Sequence, residues 1–298
     1  MQRPLHVSST PGSRSSPGCY HELVQYHLKV NRAQWNEKAR VHALGNARYP
    51  VQRLLAGKGN WAMPVPDNLG PLRNRTLLHL QCHIGLDSMR WARQGARVTG
   101  VDFSPTAIAE ARKLSTASRI PAEFIESDIY ALPRILRRHF DVVVSTYGVT
   151  CWLPDLRRWG RIIAGLLKPG GFFYLAEIHP FFNTLEFDGP GGRPRLANSY
   201  FFRGAERYVI RRGTYAAPKA RTGHKVEYGW QHSIDETVSA LRNAGLVLDF
   251  LHEFPYAYCE LTSWTHRRLM RKGRRGFWHF RSGDRIPLMF SLKARKAR

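Results

Sequence analysis

The chain has 298 residues, of which 43% are hydrophobic and 12% aromatic, enough to bury a large core, so global disorder is excluded. No apolar run reaches the length of a membrane-spanning helix, and the polar, Ser/Pro/Gly-rich start (Met1 to Gly18) lacks the apolar stretch of a secretory signal. Four scattered cysteines (Cys19, Cys82, Cys151, Cys259) match neither a disulfide framework nor a metal site, so a reducing, cytoplasmic setting without metal is expected. The formal charge of +24 speaks of solubility and polyanions rather than fold. Between Pro71 and Pro180 there are 15 Lys/Arg against 9 Asp/Glu, so most of the excess lies in the flanks.

Residues 1–19 read as a flexible tail and 20–70 as a helical extension, whose helix runs from Tyr20 to about Leu44 with Leu23, Tyr26, Val30 and Ala33 on one face. A Pro/Gly-rich link follows (Pro50, Gly57, Gly59, Pro64, Pro66, Gly70, Pro71). From Thr76 strands and helices alternate, and 71–298 reads as the main domain. The first strand is Thr76–Gln81, with a turn at Cys82–Gly85 and a helix stopped by Gly95. A second strand ends at Asp102, and Ser104-Pro105 caps the next helix. A third strand, Ala122–Glu126, is followed by Asp128. The fourth, Phe140–Thr146, is apolar enough for burial on both sides. Leu156, Trp159, Ile163 and Leu166 mark a helix that Lys168-Pro-Gly-Gly171 should terminate before a fifth strand, Phe172–Ile178. Residues 180–225 break the rhythm with glycines, prolines and aromatics and read as an insertion over the strand ends. Ser233 and Glu236 form a capping box for a helix closed by Gly245, and sixth and seventh strands are expected at Leu246–Phe250 and Pro287–Leu292. A basic, aromatic stretch separates them, about 264–285. The expected fold is an α/β, doubly wound parallel sheet with ligands at the carboxyl ends of its strands.

An acid ending the second strand can accept hydrogen bonds from vicinal ribose hydroxyls, as in NAD and S-adenosylmethionine sites; Asp102 is otherwise a helix-start acid. A pyrophosphate needs a glycine-rich turn, whereas Gln81-Cys82-His83-Ile84-Gly85 has one glycine, which favours S-adenosylmethionine. Glu177 and His179 alternate with apolar neighbours at the end of the fifth strand, so both point to one face. His179 is the candidate general base, with a loop-ordering role as its alternative.

Several stretches together resemble the class I S-adenosylmethionine-dependent methyltransferases. They are Leu77 to Gly85, Val98 to Ser104, Glu126-Ser127-Asp128, Phe140 to Val144, and Leu167-Lys-Pro-Gly-Gly171. The resemblance is closest to bacterial small-molecule enzymes with Leu-Gln-Cys-His in place of the usual glycine-rich turn, and it covers about 72–180. It implies a seven-stranded Rossmann-like sheet with an antiparallel last strand and S-adenosyl-L-methionine as cofactor. The implied cofactor residues are Gln81, Cys82, His83 and Gly85 in the turn, Asp102 and Phe103 at the ribose, and Asp128 with Ile129 at adenine. Ser145 to Tyr147 would line the methyl side, with Tyr147 shaping the catalytic pocket. The family's usual acid of the first strand falls at His79, and two usual glycines at Gln81 and His83. N-terminal helices in similar enzymes close over the cofactor, which makes Trp35, Glu37, Arg40 and His42 lid candidates; a solvated flanking helix is the alternative. His224 and His232 are further pocket candidates.

The insertion suits a small aromatic or heterocyclic, natural-product-like acceptor methylated on O or N. Two alternatives draw on the basic stretch, where Arg267, Arg268, Arg271, Lys272, Arg274, Arg275, Arg281 and Arg285 interleave with Phe277, Trp278 and Phe280. One is an RNA methyltransferase, the other a non-catalytic nucleic-acid-binding protein. No membrane partner is expected, and a homodimer is left open.

Overall fold

The computed structural model describes residues 17–57, 69–187, 194–210, 212–261, 269–283 and 285–298. The tail to residue 16, residues 58–68 of the Pro/Gly link and Trp264, Arg267 and Arg268 lie outside them.

Seven strands form one sheet: β1 (Thr76–Leu80), β2 (Arg97–Asp102), β3 (Glu123–Glu126), β4 (Phe140–Thr146), β5 (Leu167–Ile178), β6 (Leu246–Phe254) and β7 (Met289–Lys296). Their spatial order is β6-β7-β5-β4-β1-β2-β3. β3, β2, β1, β4 and β5 pair in parallel, and β7 runs antiparallel between β5 and β6. The order reverses direction beside β1, which opens a crevice past the carboxyl ends of β1, β2 and β4.

Side-chain alternation fills both faces. Val143, Phe173 and Leu175 pack with α6 (Leu156–Leu166) and α7 (Ile234–Asn243), contributing Leu156, Trp159, Ile163 and Leu241. Val142, Val144, Tyr174 and Ala176 face the other side, beside Trp91 of α3 (Leu86–Arg93). Ile108, Ala111 and Leu114 of α4 (Pro105–Ser118) pack with Ile84, Met89 and Phe124.

The caps read from the sequence are present. Ser104 Oγ accepts from the Ala107 amide at 3.0 Å, and Ser233 with Glu236 forms the reciprocal box. The end of α6 differs from the expectation: the helix stops at Leu166 and β5 begins at Leu167, so Lys168 to Gly171 lies inside the strand, next to a register shift opposite Phe140. Two short helices, α2 (Val51–Leu55) and α5 (Leu132–Ile135), were not anticipated. Val51 and Leu54 of α2 are buried in the cluster that holds Ile84, Met89 and Ile108.

α1 spans Pro17–Ala43 and docks on a two-stranded ribbon, 205–209 with 226–230, contributed largely by the insertion. Asn31 exchanges two hydrogen bonds with the Tyr228 backbone at 2.7 and 2.8 Å, and buried Lys38 pairs with Glu227 at 2.6 Å. Glu37 accepts from the Gly223 and His224 amides, both at 2.9 Å. The basic stretch forms a small sheet of 256–257, 278–280 and 270–272.

Candidate functional site

A pocket opens at the carboxyl ends of β1, β2, β3 and β4. The β1 turn forms its floor. Gln81 and His83 take left-handed φ values of 55° and 51°, at the two positions where the resembled family has glycine. The chain thus keeps a glycine-like backbone while carrying side chains, at a strain of roughly 1 kcal/mol or more per residue. Gly85 (φ 75°) allows no such exchange, because a Cβ there would lie 2.6 Å from the Phe124 ring.

Asp102 ends β2 and is buried. Its Oδ2 accepts from the His83 amide and its Oδ1 from the Ser104 amide, both at 2.9 Å. Burial pushes the carboxyl up to about 6, although these amides favour the ionised form. Ser104 in turn donates to Asn36 Oδ1 of α1 at 2.6 Å, tying the helix to this corner. Beyond β3, Asp128 Oδ1 accepts from the Tyr130 amide at 2.6 Å; burial raises its pKa against the pull of that bond and of Arg158 and Arg32. The Ser127 amide donates to the Asp102 carbonyl at 2.9 Å and so fixes the two acids relative to each other.

Of the residues singled out from the sequence, Gln81, Cys82, His83, Gly85, Asp102, Phe103, Asp128, Ile129 and Tyr147 all line this pocket. Ser145, Glu177 and His179 do not, and each is a correction. Alternation along β4 turns Thr146 into the pocket and leaves Ser145 fully buried on the other face. Glu177 is only 3% exposed and is occupied beneath the loop after β4. Its Oε2 accepts from Val149 N, Thr150 N and Thr150 Oγ1 at 2.7, 3.0 and 3.3 Å. Its Oε1 accepts from Gly148 N and Ile178 N at 2.6 and 2.7 Å. His179 is held by Glu253 at 2.8 Å and accepts the Phe181 amide at 3.1 Å. Both ring nitrogens are thus engaged away from the pocket, and burial lowers the pKa of His179 against the pull of Glu253. His232 is not among the residues that line the pocket; its Nε2 meets the carbonyl of the lining residue Leu153 at 2.7 Å.

The sequence reading missed much of the far wall. Trp35 of α1 was foreseen there, but Arg48, Tyr49, Tyr215 and Tyr258 were not. They come from the link, the insertion and the segment after β6, where a lone aromatic carries no periodic signal. Trp35 meets Trp152 edge-on at 5.3 Å, and Tyr147 stacks on Tyr258 at 4.2 Å. The Tyr49 and Tyr215 hydroxyls are hydrogen-bonded to each other. Burial holds the Tyr147 phenol well above 10, so it is protonated. His79 and His83 are both pushed down to about 3, chiefly by burial, with Arg90 and Lys38 respectively adding repulsion. Both imidazoles are neutral near pH 7. Among the described residues no cluster could hold a metal ion, and no helix is long and apolar enough to cross a membrane.

The donor set suits a nucleoside without phosphates: a buried carboxylate for vicinal hydroxyls, a second acid one strand away, and a turn whose buried Gln81 Oε1 and His83 Nδ1 have no partner.

Residues 78–175 match the family model described as a methyltransferase domain. A "Ubiquinone biosynthesis O-methyltransferase" of Methylobacterium sp. (strain 4-46) is 34% identical over 115 residues, which are 38% of this chain and 45% of that protein. A protein of the same name from Cronobacter sakazakii is 30% identical over 178 residues, 58% of this chain and 65% of that one. The similarity to the first of these thus spans less than half its length. Among solved structures, a putative S-adenosylmethionine-dependent methyltransferase from Listeria monocytogenes superposes with a TM-score of 0.55 at 17% identity, over 77% of this chain and 94% of that one. One from Clostridium acetobutylicum gives 0.52 at 11%, over 94% and 100%. At these identities the superpositions speak for fold. Residues 78–175 are accordingly a methyltransferase domain, set in a chain with the class I fold of the S-adenosylmethionine-dependent methyltransferases.

Proposed function

We propose that the chain transfers a methyl group from S-adenosyl-L-methionine to an oxygen or nitrogen of a small aromatic or heterocyclic acceptor. The observation that carries this reading is the single pocket in which Asp102, Asp128 and the β1 turn face a wall of aromatic rings. Asp102 accepts the two ribose hydroxyls, while Asp128 and the Ile129 backbone meet the adenine edge. The donor supplies a methyl group on a sulfonium, displaced in line by the acceptor. The chain's part is to hold the two partners in that line and to keep water out.

Trp35, Trp152, Tyr147 and Tyr258 line the pocket with ring faces and edges for a flat acceptor, and the half-buried Arg48 guanidinium beside them favours one carrying an acidic group. α1 serves as a cover, because Leu28 and Trp35 reach the pocket and its anchors include Asn36 beside the ribose acid. With pKa values pushed down to about 3, the His79 and His83 imidazoles are too weakly basic to hold a hydroxyl proton near pH 7. Acceptors must therefore ionise themselves or present a neutral amine, and kcat/KM should climb with pH through the acceptor's own pKa. A profile fixed by a group of the protein whatever the acceptor would contradict this. The names of the curated relatives favour oxygen as the methylated atom.

The reading is tested by titrating S-adenosylhomocysteine and by screening hydroxylated aromatic acids with methyl-labelled donor. One-to-one binding that Asp102→Ala weakens at least tenfold is expected. No binding at millimolar ligand would remove the reading.

A further inference from the structure

The edge of the sheet carries a row of rings that the pocket does not use. Phe250, His252, Phe254 and Tyr256 alternate along β6, the outermost strand, and just past its end. Their neighbouring ring centroids lie 4.4, 6.3 and 5.0 Å apart in turn. The small sheet extends the row: Tyr256 pairs with His279, with ring centroids 5.6 Å apart, and His279 pairs with Arg271. Ala257, Met270 and Phe280 of that sheet are buried, so Tyr256, His279 and Arg271 stand abreast on its outer face. His252 and Arg271 are exposed, and the other rings are half-buried.

The small sheet is also strongly positive. Between Leu269 and Arg285 there are six Lys/Arg and one acid, Asp284. Arg271, Lys272, Arg274, Arg275, Arg281 and Arg285 are all exposed, and among the described residues none of them has a carboxylate partner. Elsewhere on the surface Arg32, Arg138, Arg195 and Arg295 each pair with an acid. Cations crowded without acids repel one another, and a polyanion relieves that repulsion while it releases its own counterions. None of these rings or cations lines the pocket, so the surface is separate from the site described above.

We propose that this surface docks single-stranded RNA, with the six cations on backbone phosphates and the ring row stacked on bases. Stacking needs bases that are not already paired, so a single strand fits where a duplex or a lipid headgroup does not. The Tyr256 hydroxyl and the imidazoles of His252 and His279 bring hydrogen-bonding groups to the 2′-hydroxyls that mark RNA. The strand is a docking partner and not the methyl acceptor, and the proposal stands independently of the donor reading.

The test is fluorescence anisotropy of the intact chain with a labelled oligouridylate of about 12 nucleotides, across a salt series. Binding at low salt should weaken steeply as salt rises. Arg274→Glu with Arg275→Glu should cost about tenfold or more and flatten the salt slope; Arg281→Glu with Arg285→Glu is a second pair expected to act alike. His252→Ala should cost about fivefold or more on the single strand, leave the slope unchanged and leave duplex RNA of equal length unaffected. All these positions are exposed, so Tm should hold. A deoxyuridylate strand should bind about threefold more weakly. No binding at low salt, or binding that both charge pairs leave unaltered, overturns the proposal. It is also overturned if His252→Ala weakens neither strand or both alike, if deoxyuridylate binds equally well, or if phosphatidylglycerol vesicles capture the chain and leave the oligonucleotide free.

Discussion

At neutral pH Asp102 is ionised with little margin, because burial holds its carboxyl near 6. Ribose hydroxyls donate to the ionised form, so donor binding must first release any proton held there. S-Adenosylhomocysteine affinity should be level above about pH 7 and fall toward tenfold per unit well below pH 6, measured as Kd across pH 5 to 8. Asp102→Asn should bind weakly and lose this component of the slope; an unchanged slope would assign the titration to another group. Glu177 is argued differently, since its carboxylate accepts from five donors and closes the loop bearing Gly148 and Val149. Glu177→Gln puts an NH2 against amides that can only donate, so it is not conservative here. A loss of about 3–5 kcal/mol in denaturant unfolding is expected for Glu177→Ala, as for other buried groups stripped of a partner. The place of Asp102 and Asp128 at the strand ends was legible because each closes or follows a strand that composition makes plain. The surroundings of Glu177 and His179 could not be read, because alternation fixes the face of a strand but not what covers it, which here is the loop after β4 and Glu253 of β6.

Among elements, α6 lies close against α7. A Cβ on Gly160 would stand 2.4 Å from the Ala240 carbonyl oxygen, which is backbone and cannot swing away. Gly160→Ala should cost about 1–3 kcal/mol by forcing the helices apart, despite alanine's better helix propensity, read as a lower Tm. Unchanged stability would mean that the pair slides freely. The sheet, its caps and both helix stripes could be read because each signal is local: a proline after a serine, a Ser-x-x-Glu box, apolar residues three and four apart. α2 and α5 escaped notice as single turns too short for any period to register. The turn after β1 shows a further limit. Gln81 and His83 look like lost glycines in sequence, yet the backbone keeps the glycine conformation because packing around Gly85 and the His83–Asp102 bond prescribes it.

For the molecule as a whole, the aromatic side of the pocket is assembled from parts far apart in the chain. Lys38 with Glu227, Asn31 with Tyr228, and the Tyr49–Tyr215 pair join α1, the link and the insertion across more than 160 residues each. No local pattern announces such contacts, which is why the donor half of the pocket was readable and the aromatic half was not. The charge of +24 adds a field around the molecule that attracts anions and weakens with salt. The central claim is that Asp102 and Asp128 grip the nucleoside of the donor. A crystal structure with S-adenosylhomocysteine bound tests it most directly: the account predicts the ribose hydroxyls on the Asp102 carboxylate and the adenine against Asp128 and Ile129, and a nucleoside lodged away from both acids would contradict it.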